Sequence, residues 1–381
     1  MPHSAAGPLL FEPKLIKLLA EENSTPLFLY SKQAIFENVT EIRNVLSKFD
    51  FTIYYALKAN RYPPVIDFFK KLGVHIDCCS PTEVQIALDH GFSNEEISVT
   101  GCFLSNKDLK FICEKNVHIN LDGFSQIERY SHFTTNNEMG LRIDTKTNSQ
   151  DWAKSVYNNS KFGISFEELP KALALIKEKN FRLVTLHCHI AWNMSKFKGK
   201  DDFENALKVI VKCAKLCPDL KSIDVGGGLG IKFFEHADEV LSSKVWADLL
   251  EQYLLPLNVK ISCELGTKLM ANAGILVTEC TTIQQKNGIN WLGLNCGFNL
   301  NGYAAHYGIK QDIVNIESGR DEMEIYNIGG NLNEGIDVFH EEIKMKKTRE
   351  GDLMVILYSG AYCVSMSSNH CGRGQYVEML L

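Results

Sequence analysis

The chain has 381 residues, of which 45% are hydrophobic, and it carries a formal net charge of −6 with a pI of about 6.0. These values are typical of a globular protein with one large domain and a smaller one, and they argue against nucleic acid or an anionic membrane as a partner. The apolar runs are too short to cross a bilayer.

The start of the chain and its cysteines indicate a compartment. Residues 1–7 lack the charged region and apolar core of a secretory leader. The 12 cysteines are scattered, so we expect reduced thiols and a cytoplasmic location. Cys78-Cys79 and the two histidines of His187-Cys188-His189 are candidate metal ligands. Neither has a second half at zinc spacing, so we predict no metal site.

A helix is predicted over 13–22, a strand over 26–30 and a second helix over 32–49. Eight strand-like runs follow, at 52–57, 74–79, 97–101, 117–121, 138–143, 182–189, 221–226 and 258–264. Helix-like segments lie between most of them, at 63–72, 81–90, 106–115, 166–179, 202–216 and 244–254. Eight such repeats in about 210 residues favour a (β/α)8 TIM-like barrel. A doubly wound open sheet is the alternative.

The pattern of predicted secondary structure changes after Gly266. Strand-like runs at 275–283, 291–295, 324–328 and 353–357 continue with few helical patterns between them. We therefore expect an α/β protein with a barrel over 31–266 and a mainly β domain built from 1–30 and 267–381. The apolar ending at 377–381 is consistent with one domain of a longer polypeptide.

Polar and glycine residues cluster at the predicted strand ends, where a barrel carries its active site. These residues are Lys58, Asp77 to Ser80, Gly101, Asp122, Arg142, His189, Gly226, Gly227, Gly228 and Glu264. The lysine follows the strand 53–57, and partial burial favours the neutral amine, which can attack a carbonyl to form a Schiff base. The alternative for Lys58 is an ordinary strand-end lysine that reaches solvent.

The other strand ends suggest what such a lysine would bind. The glycines 226–228 are suited to cradle a phosphate, although a flexible turn is the alternative. A buried carboxylate at Glu264 needs a cationic partner, such as a protonated pyridine nitrogen. The imidazole of His189 could stack on a flat ring, or it could be an ordinary core histidine. Together these groups predict pyridoxal 5'-phosphate as the cofactor.

Several motifs, in a shared order, resemble the fold type III pyridoxal phosphate enzymes, the ornithine/diaminopimelate/arginine decarboxylase family related to alanine racemase. The motifs are Tyr55 to Asn60 around the Schiff-base lysine, Asp77 to Glu83, Lys161 to Gly163, His187 to Ile190, Gly226 to Gly228, Glu264 to Gly266, Asn295 to Asn299, Gly330 to Asp337, and Gly360 to Tyr362 with Ser365 to Asn369. The resemblance implies a barrel with a β domain, and a homodimer with active sites at the interface. It also implies that Asp77 and Arg142 lie at the cofactor, that His189 stacks on it, and that Tyr362 binds its phosphate.

Departures from the family pattern fall on cofactor, proton and substrate contacts. Thr267 replaces a phosphate-binding arginine, and Trp192 replaces a serine. Asn333 replaces a cysteine that helps to protonate the α-carbon, so Lys58, water or His189 must supply that proton. Tyr303 replaces the arginine that would hold the distal carboxylate of diaminopimelate.

The retained residues Glu334 and Asp337, together with Tyr303, are therefore expected to meet the distal part of a different substrate. The sequence predicts a decarboxylase that acts on an amino acid or an amino-acid-derived group, small or peptide-linked. Polyamine, siderophore and microcin C-like peptide antibiotic pathways are the candidates. A racemase and a non-catalytic binding protein are the alternatives.

Overall fold

A computed structural model of the chain describes residues 9–147, 160–317 and 320–381. Residues 1–7, on which the absence of a secretory leader was argued, lie outside that part. The chain forms two compact units. The barrel unit comprises Val39–Gly230 and Asp238–Gly266, and the sheet unit comprises the described part of Met1–Asn38 together with Ile231–Ala237 and Thr267–Leu381. The predicted bounds at 31 and 266 stay a prediction.

The strands of the described residues are β1 Leu27–Tyr30, β2 Phe51–Ala56, β3 His75–Cys78, β4 Ile97–Thr100, β5 His118–Leu121, β6 Glu138–Asp144, β7 Ile164–Ser165, β8 Arg182–His187, β9 Ser222–Asp224, β10 Lys260–Leu265, β11 Gly274–Lys286, β12 Ile289–Leu294, β13 Ile313–Asn315, β14 Met323–Gly329, β15 Val338–Lys346, β16 Leu353–Ile356 and β17 Val377–Leu380. The helices are α1 Pro13–Asn23, α2 Lys32–Val45, α3 Pro63–Lys71, α4 Pro81–Asp89, α5 Asn106–Lys115, α6 Phe124–Tyr130, α7 Leu169–Glu178, α8 Lys198–Ala214, α9 Ser243–Leu254, α10 Thr267–Met270 and α11 Gly302–Tyr307.

Eight parallel strands close into a barrel in the barrel unit. Their order is β2-β3-β4-β5-β6-β8-β9-β10, and β10 pairs with β2 to complete the ring. The short β7 pairs with β6 beside the ring. The predicted (β/α)8 barrel is therefore confirmed, and the open doubly wound sheet is excluded. Each of the eight predicted strand segments overlaps one strand of the ring.

Local signals explain most of the barrel helices. Ser80 caps α4 by accepting a hydrogen bond from the Glu83 N–H, and Pro81 occupies the first turn. Ser105 caps α5 in a capping box. Helix α6 was not predicted, because it lacks a side-chain cap and its buried face includes the polar Gln126. Tertiary hydrogen bonds from Gln126 and Arg129 to the carbonyl oxygens of Gly101 and Leu104 hold this helix, together with the burial of Ile127 and Tyr130.

The sheet unit is mainly β, as predicted, and β11 is its central strand. The first half of β11 pairs with β1 and β16, and its second half pairs with β12 after a register shift between Cys280 and Thr282. The strand predicted at 26–30 joins this sheet, where β1 also pairs with β17. The apolar residues at 377–380 are therefore sheet residues.

The strands β13, β15 and β17 of the sheet unit were not predicted. β13 has only three residues, and β15 carries five charged or histidine side chains among its nine residues, which hides the alternation on which a strand prediction rests. Among the described helices, none is both long and apolar enough to cross a membrane. All twelve cysteines are free thiols.

Candidate active site

Lys58 lies one turn past the end of β2. A short 3₁₀ turn, Leu57–Ala59, follows the strand and carries the lysine at the carboxyl end of the barrel. Its Nζ donates to Asp77 Oδ2 at 3.0 Å and lies 3.3 Å from Cys79 Sγ. The lysine side chain is 40% exposed, whereas that of Asp77 is fully buried. The amine therefore meets solvent on one side and a buried carboxylate on the other.

Asp77 ends the neighbouring strand and titrates far from its ordinary range. Burial, and then the nearby charge of Glu264, raise its pKa to about 7, although Lys58 opposes the shift. Its Oδ1 is buried and has no hydrogen-bond partner among the described residues. An unsatisfied buried carboxylate oxygen is costly, and it marks a place where a further polar group fits.

Glu264 on β10 is held by both of its carboxylate oxygens. Oε1 accepts a hydrogen bond from Thr100 Oγ1 at 3.2 Å, and Oε2 lies 3.0 Å from His187 Nε2. Burial alone would raise the pKa of Glu264. The charge and hydrogen bond of His187, with the charge of Lys58, instead lower this pKa to about 2. The carboxylate is therefore ionised although it is almost fully buried.

His189 follows β8 and is a neutral imidazole. Its Nδ1 accepts the N–H of Gly227 at 3.1 Å, so the ring proton is on Nε2. Burial, together with the charges of Arg142 and Lys58, lowers the pKa of His189 to about 3. A neutral, backbone-anchored ring suits the predicted stacking role, and that role stays a prediction.

Arg142 is a buried cation at the end of β6. Its Nη1 lies 3.7 Å from Asp122 Oδ1, and its guanidinium lies 4.0 Å over the ring of Phe162. Asp122 Oδ1 also accepts the N–H of Gly163 at 3.0 Å. The family-like segment at 161–163 is thus tied to the ends of β5 and β6.

The glycine triplet is required by backbone packing. A Cβ on Gly226 would lie 2.4 Å from the carbonyl oxygen of Cys188, and one on Gly227 would lie 2.5 Å from that of Glu264. Gly226 also has a φ of +66°. The N–H groups of Gly226 and Gly227 donate to Asp224 Oδ1 and His189 Nδ1. Both donors are therefore used inside the protein, and the predicted phosphate contact of this triplet stays a prediction.

The sequence predicted no metal site, but the described residues include one cluster with the geometry of metal ligands. His187, Asp224 and Glu264 offer three buried ligand atoms within 4.8 Å of one another. Asp224 already accepts hydrogen bonds from Gly226 N–H and Ser262 Oγ, both at 2.8 Å. Burial and the charge of Glu264 raise the pKa of Asp224, and the absence of a metal stays a prediction.

In the sheet unit, Tyr303 is fully buried. Its ring centroid lies 4.6 Å from that of Phe233 and 5.8 Å from that of Tyr362. The contacts are those of a core residue, whereas the prediction placed Tyr303 against the substrate. Tyr362 has a φ of +57°, and a Cβ on Gly302 would lie 2.0 Å from its carbonyl oxygen. This glycine supports the strained turn that carries Tyr362.

The loop 330–337 contains the other predicted substrate residues. Asp337 is buried, and its two carboxylate oxygens accept the N–H groups of Phe298 and Leu332, each at 2.8 Å. Asp337 thus braces two loops, a role that the sequence did not predict. Asn333 and Glu334 are exposed, and Glu334 Oε1 lies 2.7 Å from His370 Nε2. The catalytic or substrate roles of these three residues stay predictions.

The structure brings together, in the barrel unit, all the predicted site residues that belong to it: Lys58, Asp77, Arg142, His189, Gly226, Gly227, Gly228 and Glu264. It adds Thr100 and Asp224, which the sequence did not indicate, and it gives contacts in the site to Cys79 and His187, which the sequence indicated only as a strand-end residue and a candidate metal ligand. Each lies at or next to the end of an apolar strand. A polar residue at the last position of such a strand was the available signal.

The barrel residues fit the predicted cofactor. A lysine amine, a neutral imidazole and an ionised buried carboxylate would meet the aldehyde, the ring face and the ring nitrogen of pyridoxal phosphate. The buried Asp77 Oδ1 adds an acceptor without a partner.

Comparison with known proteins agrees. Residues 32–271 match the family model described as "Pyridoxal-dependent decarboxylase, pyridoxal binding domain". The diaminopimelate decarboxylase of Methanothermobacter thermautotrophicus is 29% identical over 384 residues, covering 95% of this chain and 88% of the relative. That of Aquifex aeolicus is 26% identical over 387 residues, covering 98% and 91%.

Solved structures share the fold. Diaminopimelate decarboxylase from Helicobacter pylori, complexed with L-lysine, gives a TM-score of 0.89 at 24% identity, covering 96% of this chain and 93% of the other. The lysine/ornithine decarboxylase of Vibrio vulnificus, complexed with putrescine, gives 0.85 at 20% identity, covering 97% and 98%. At these identities the likeness establishes the architecture.

Proposed function

Because the chain belongs to the pyridoxal-dependent decarboxylases, we propose that it removes the α-carboxylate of an amino acid or an amino-acid-derived group other than diaminopimelate. The observation that carries the proposal is that Lys58 and the ionised Glu264 lie at the carboxyl ends of β2 and β10, two neighbouring strands of the barrel. When bound, pyridoxal phosphate supplies the electron sink for the pair left on the α-carbon as carbon dioxide departs.

The residues of the chain have separate tasks in this proposal. Lys58 carries the cofactor, and Asp77 holds its Nζ at 3.0 Å. With a pKa of about 7, Asp77 can accept a proton from the ammonium and leave the neutral, nucleophilic amine. Glu264 would accept a hydrogen bond from the ring nitrogen of the bound cofactor, and His189, anchored through Gly227, would support the face of the ring.

The substrate is the finer part of the proposal. Tyr303 stands where the family resemblance places an arginine for a distal carboxylate, and a phenol cannot replace that charge. An unusual amino-acid-derived group, as in polyamine, siderophore or microcin C-like antibiotic biosynthesis, suits this change. The curated relatives are named diaminopimelate decarboxylase, so diaminopimelate is the substrate that the experiment must compare.

The test begins with the cofactor. We expect purified protein mixed with pyridoxal phosphate to develop a visible absorption band, and borohydride reduction followed by peptide mass spectrometry to place the label on Lys58. The Lys58→Ala variant should lose both signals, whereas Lys110→Ala, at an exposed position, should keep them. Label spread over surface lysines would overturn the proposal.

A separate, unreduced sample of the cofactor-bound enzyme is then offered diaminopimelate, lysine, ornithine, arginine and an aminocarboxypropyl-bearing nucleotide, and carbon dioxide release is measured. Release from a substrate without a distal carboxylate, and at least about 10-fold slower release from diaminopimelate, is the expected result. Preference for diaminopimelate would refute the substrate part alone. Loss of the optical activity of the amino acid at its α-carbon, without release of carbon dioxide, would indicate a racemase.

We also infer a homodimer, which the family resemblance implies. Light scattering of the cofactor-bound protein measures the mass directly, and a mass close to 42.9 kDa, that of one chain, would contradict the inference.

A further inference from the structure

A row of polar side chains from three barrel strands, β5, β4 and β10, ends on Glu264. Thr100 Oγ1 lies 3.2 Å from Glu264 Oε1, and Asn120 Nδ2 lies 3.0 Å from Thr100 Oγ1. Behind them, His118 Nε2 lies 3.2 Å from Asn120 Oδ1. Thr100 and Asn120 are buried, and Asn120 is fully so. Burying a polar side chain inside a barrel of apolar strands is costly unless the side chain is hydrogen-bonded, and in this row each polar group is hydrogen-bonded to the next.

The chemistry of the groups fixes the direction of every hydrogen bond in the row. The ionised Glu264 can only accept, so the single hydroxyl proton of Thr100 is donated to Oε1. Thr100 Oγ1 then accepts from the Asn120 amide, and the Asn120 carbonyl accepts from His118. The three donors therefore all point towards the carboxylate, an arrangement in which each bond strengthens the next.

The barrel makes room for this row. Gly140 on β6 lies beside Asn120, and a Cβ at that position would be 2.0 Å from Asn120 Oδ1 and 3.1 Å from His118 Nε2. The φ of Gly140 is not in the left-handed region, so backbone conformation does not require a glycine there. Space for the Asn120 amide does require it.

We propose that Thr100, backed by Asn120 and His118, is a positioning residue that aims the Glu264 carboxylate and holds it as an ionised acceptor for the ring nitrogen of the cofactor. His187 holds the second oxygen at 3.0 Å, so the carboxylate cannot rotate. The inference rests on the proposed role of Glu264. It adds the residues that set the orientation of that carboxylate, and thus the protonation of the cofactor ring.

The first test removes one hydroxyl. In Thr100→Val we expect kcat to fall about 10- to 100-fold, the worth of a hydrogen bond to a charged group, with KM within about 3-fold of the parent. The visible band of the bound cofactor should shift. Thr100→Ser should restore both. Thr185→Val is the matched control, because Thr185 is a buried threonine on β8 whose hydroxyl meets Ser222 at 2.8 Å.

A second readout needs no cofactor. Infrared difference spectra of the cofactor-free protein, with Glu264→Gln to assign the band, should show that the Glu264 carboxylate stretch shifts in Thr100→Val and not in Thr185→Val. This measurement follows the hydrogen bond itself, so a merely destabilised barrel would not reproduce the result.

The second variant reverses the row. The Asn120→Asp side chain has nearly the same shape and fits beside Gly140. Its carboxylate can only accept, so the Thr100 hydroxyl would donate to it and no longer to Glu264, which would then face the lone pairs of that hydroxyl. We expect a larger fall in kcat than in Thr100→Val. A carboxylate band and a kcat that stay those of the parent in both variants would overturn the inference.

The role of Glu264 and the positioning role of Thr100 can be tested separately. If Glu264→Gln leaves the cofactor band unchanged, the proposed function of Glu264 is wrong. If Glu264→Gln shifts the band while Thr100→Val behaves as Thr185→Val does, only the positioning role is wrong.

Discussion

The two units differ in how their predicted site residues are placed. In the barrel unit these residues lie at strand ends and are mostly buried. Their charges shift one another's pKa values, as at Asp77, Glu264 and His189. In the sheet unit they are dispersed, with Tyr303 in the core, Asp337 bracing loops and Asn333 in solvent. The barrel residues predicted to hold the cofactor thus lie within the strands, as Glu264 does, or just after them, as Lys58 and His189 do. Residues assigned to a variable substrate lie mainly in loops and turns, where the sequence can change without loss of the fold.

The largest stability effect is expected at Asp337, in the sheet unit. Asp337→Ala leaves the N–H groups of Phe298 and Leu332 without their acceptor, and we expect a loss of about 2–5 kcal/mol in the free energy of unfolding. Urea denaturation measures the loss. Glu334→Ala, at an exposed position in the same loop, is the control and should change stability by less than about 0.5 kcal/mol. Equal losses in the two variants would show that Asp337 is not a brace.

A pH effect on stability is expected from Asp77 in the barrel unit. The pKa of Asp77 is raised to about 7, above the ordinary value of 3.8, so the folded protein holds a proton that the unfolded chain releases between these values. The stability of the cofactor-free protein should therefore fall, by about 1–3 kcal/mol, as pH rises from about 4 to 7. Asp224, whose pKa is also raised, adds to the same slope.

The Asp77→Asn variant separates these contributions. It should flatten the pH dependence of the urea midpoint, because the amide does not titrate. Glu264 acts at lower pH and with the opposite sign. Its pKa is lowered to about 2, so its stabilisation is complete above its unfolded pKa of 4.5 and is lost as pH falls towards 2. A variant as steep as the parent between pH 4 and 7 would remove Asp77 as the cause.

Glycine substitutions compare the two units directly. Gly140→Ala places a methyl group against Asn120, so we expect a loss of about 1–3 kcal/mol in the free energy of unfolding from overpacking. Gly335→Ala, in the sheet-unit loop, meets nothing within 4 Å and should be within about 0.5 kcal/mol of the parent. Thermal denaturation of both variants gives the comparison, and a Gly140→Ala protein as stable as Gly335→Ala would contradict the packing argument.

The smallest effect is expected at Asn333. An amide cannot supply an acidic proton, and its side chain is exposed in the described structure, so Asn333→Ala should change kcat by less than about 3-fold. The rate of carbon dioxide release measures it. A fall of about 100-fold or more would show that the sheet unit takes part in the chemistry and would remove the contrast between the units.

The sequence predicted the barrel because its signal is local. Apolar runs such as 52–57 and 258–264 are buried on both faces and alternate with capped helices, and the chemistry lies at their ends. The sequence could not predict the hydrogen bonds of Thr100, because Asn120 and Glu264 are brought to it only when the barrel closes. Likewise, the sequence assigned Asp337 to the substrate from a motif. The N–H groups of residues 298 and 332, which its carboxylate binds, reach it only in the folded loops.

The pairing of β1 with β17 and β11 has a consequence for synthesis. Every strand of the barrel has emerged once Leu265 is made, whereas β1, the earliest strand, has its partners at 274–277 and 377–380. All four β1 side chains are buried in the finished sheet. They therefore stay unpaired at least until residues 274–277 have been made, and the second partner at 377–380 follows about 100 residues later. During that interval the apolar β1 is open to chaperones and to aggregation with other nascent chains.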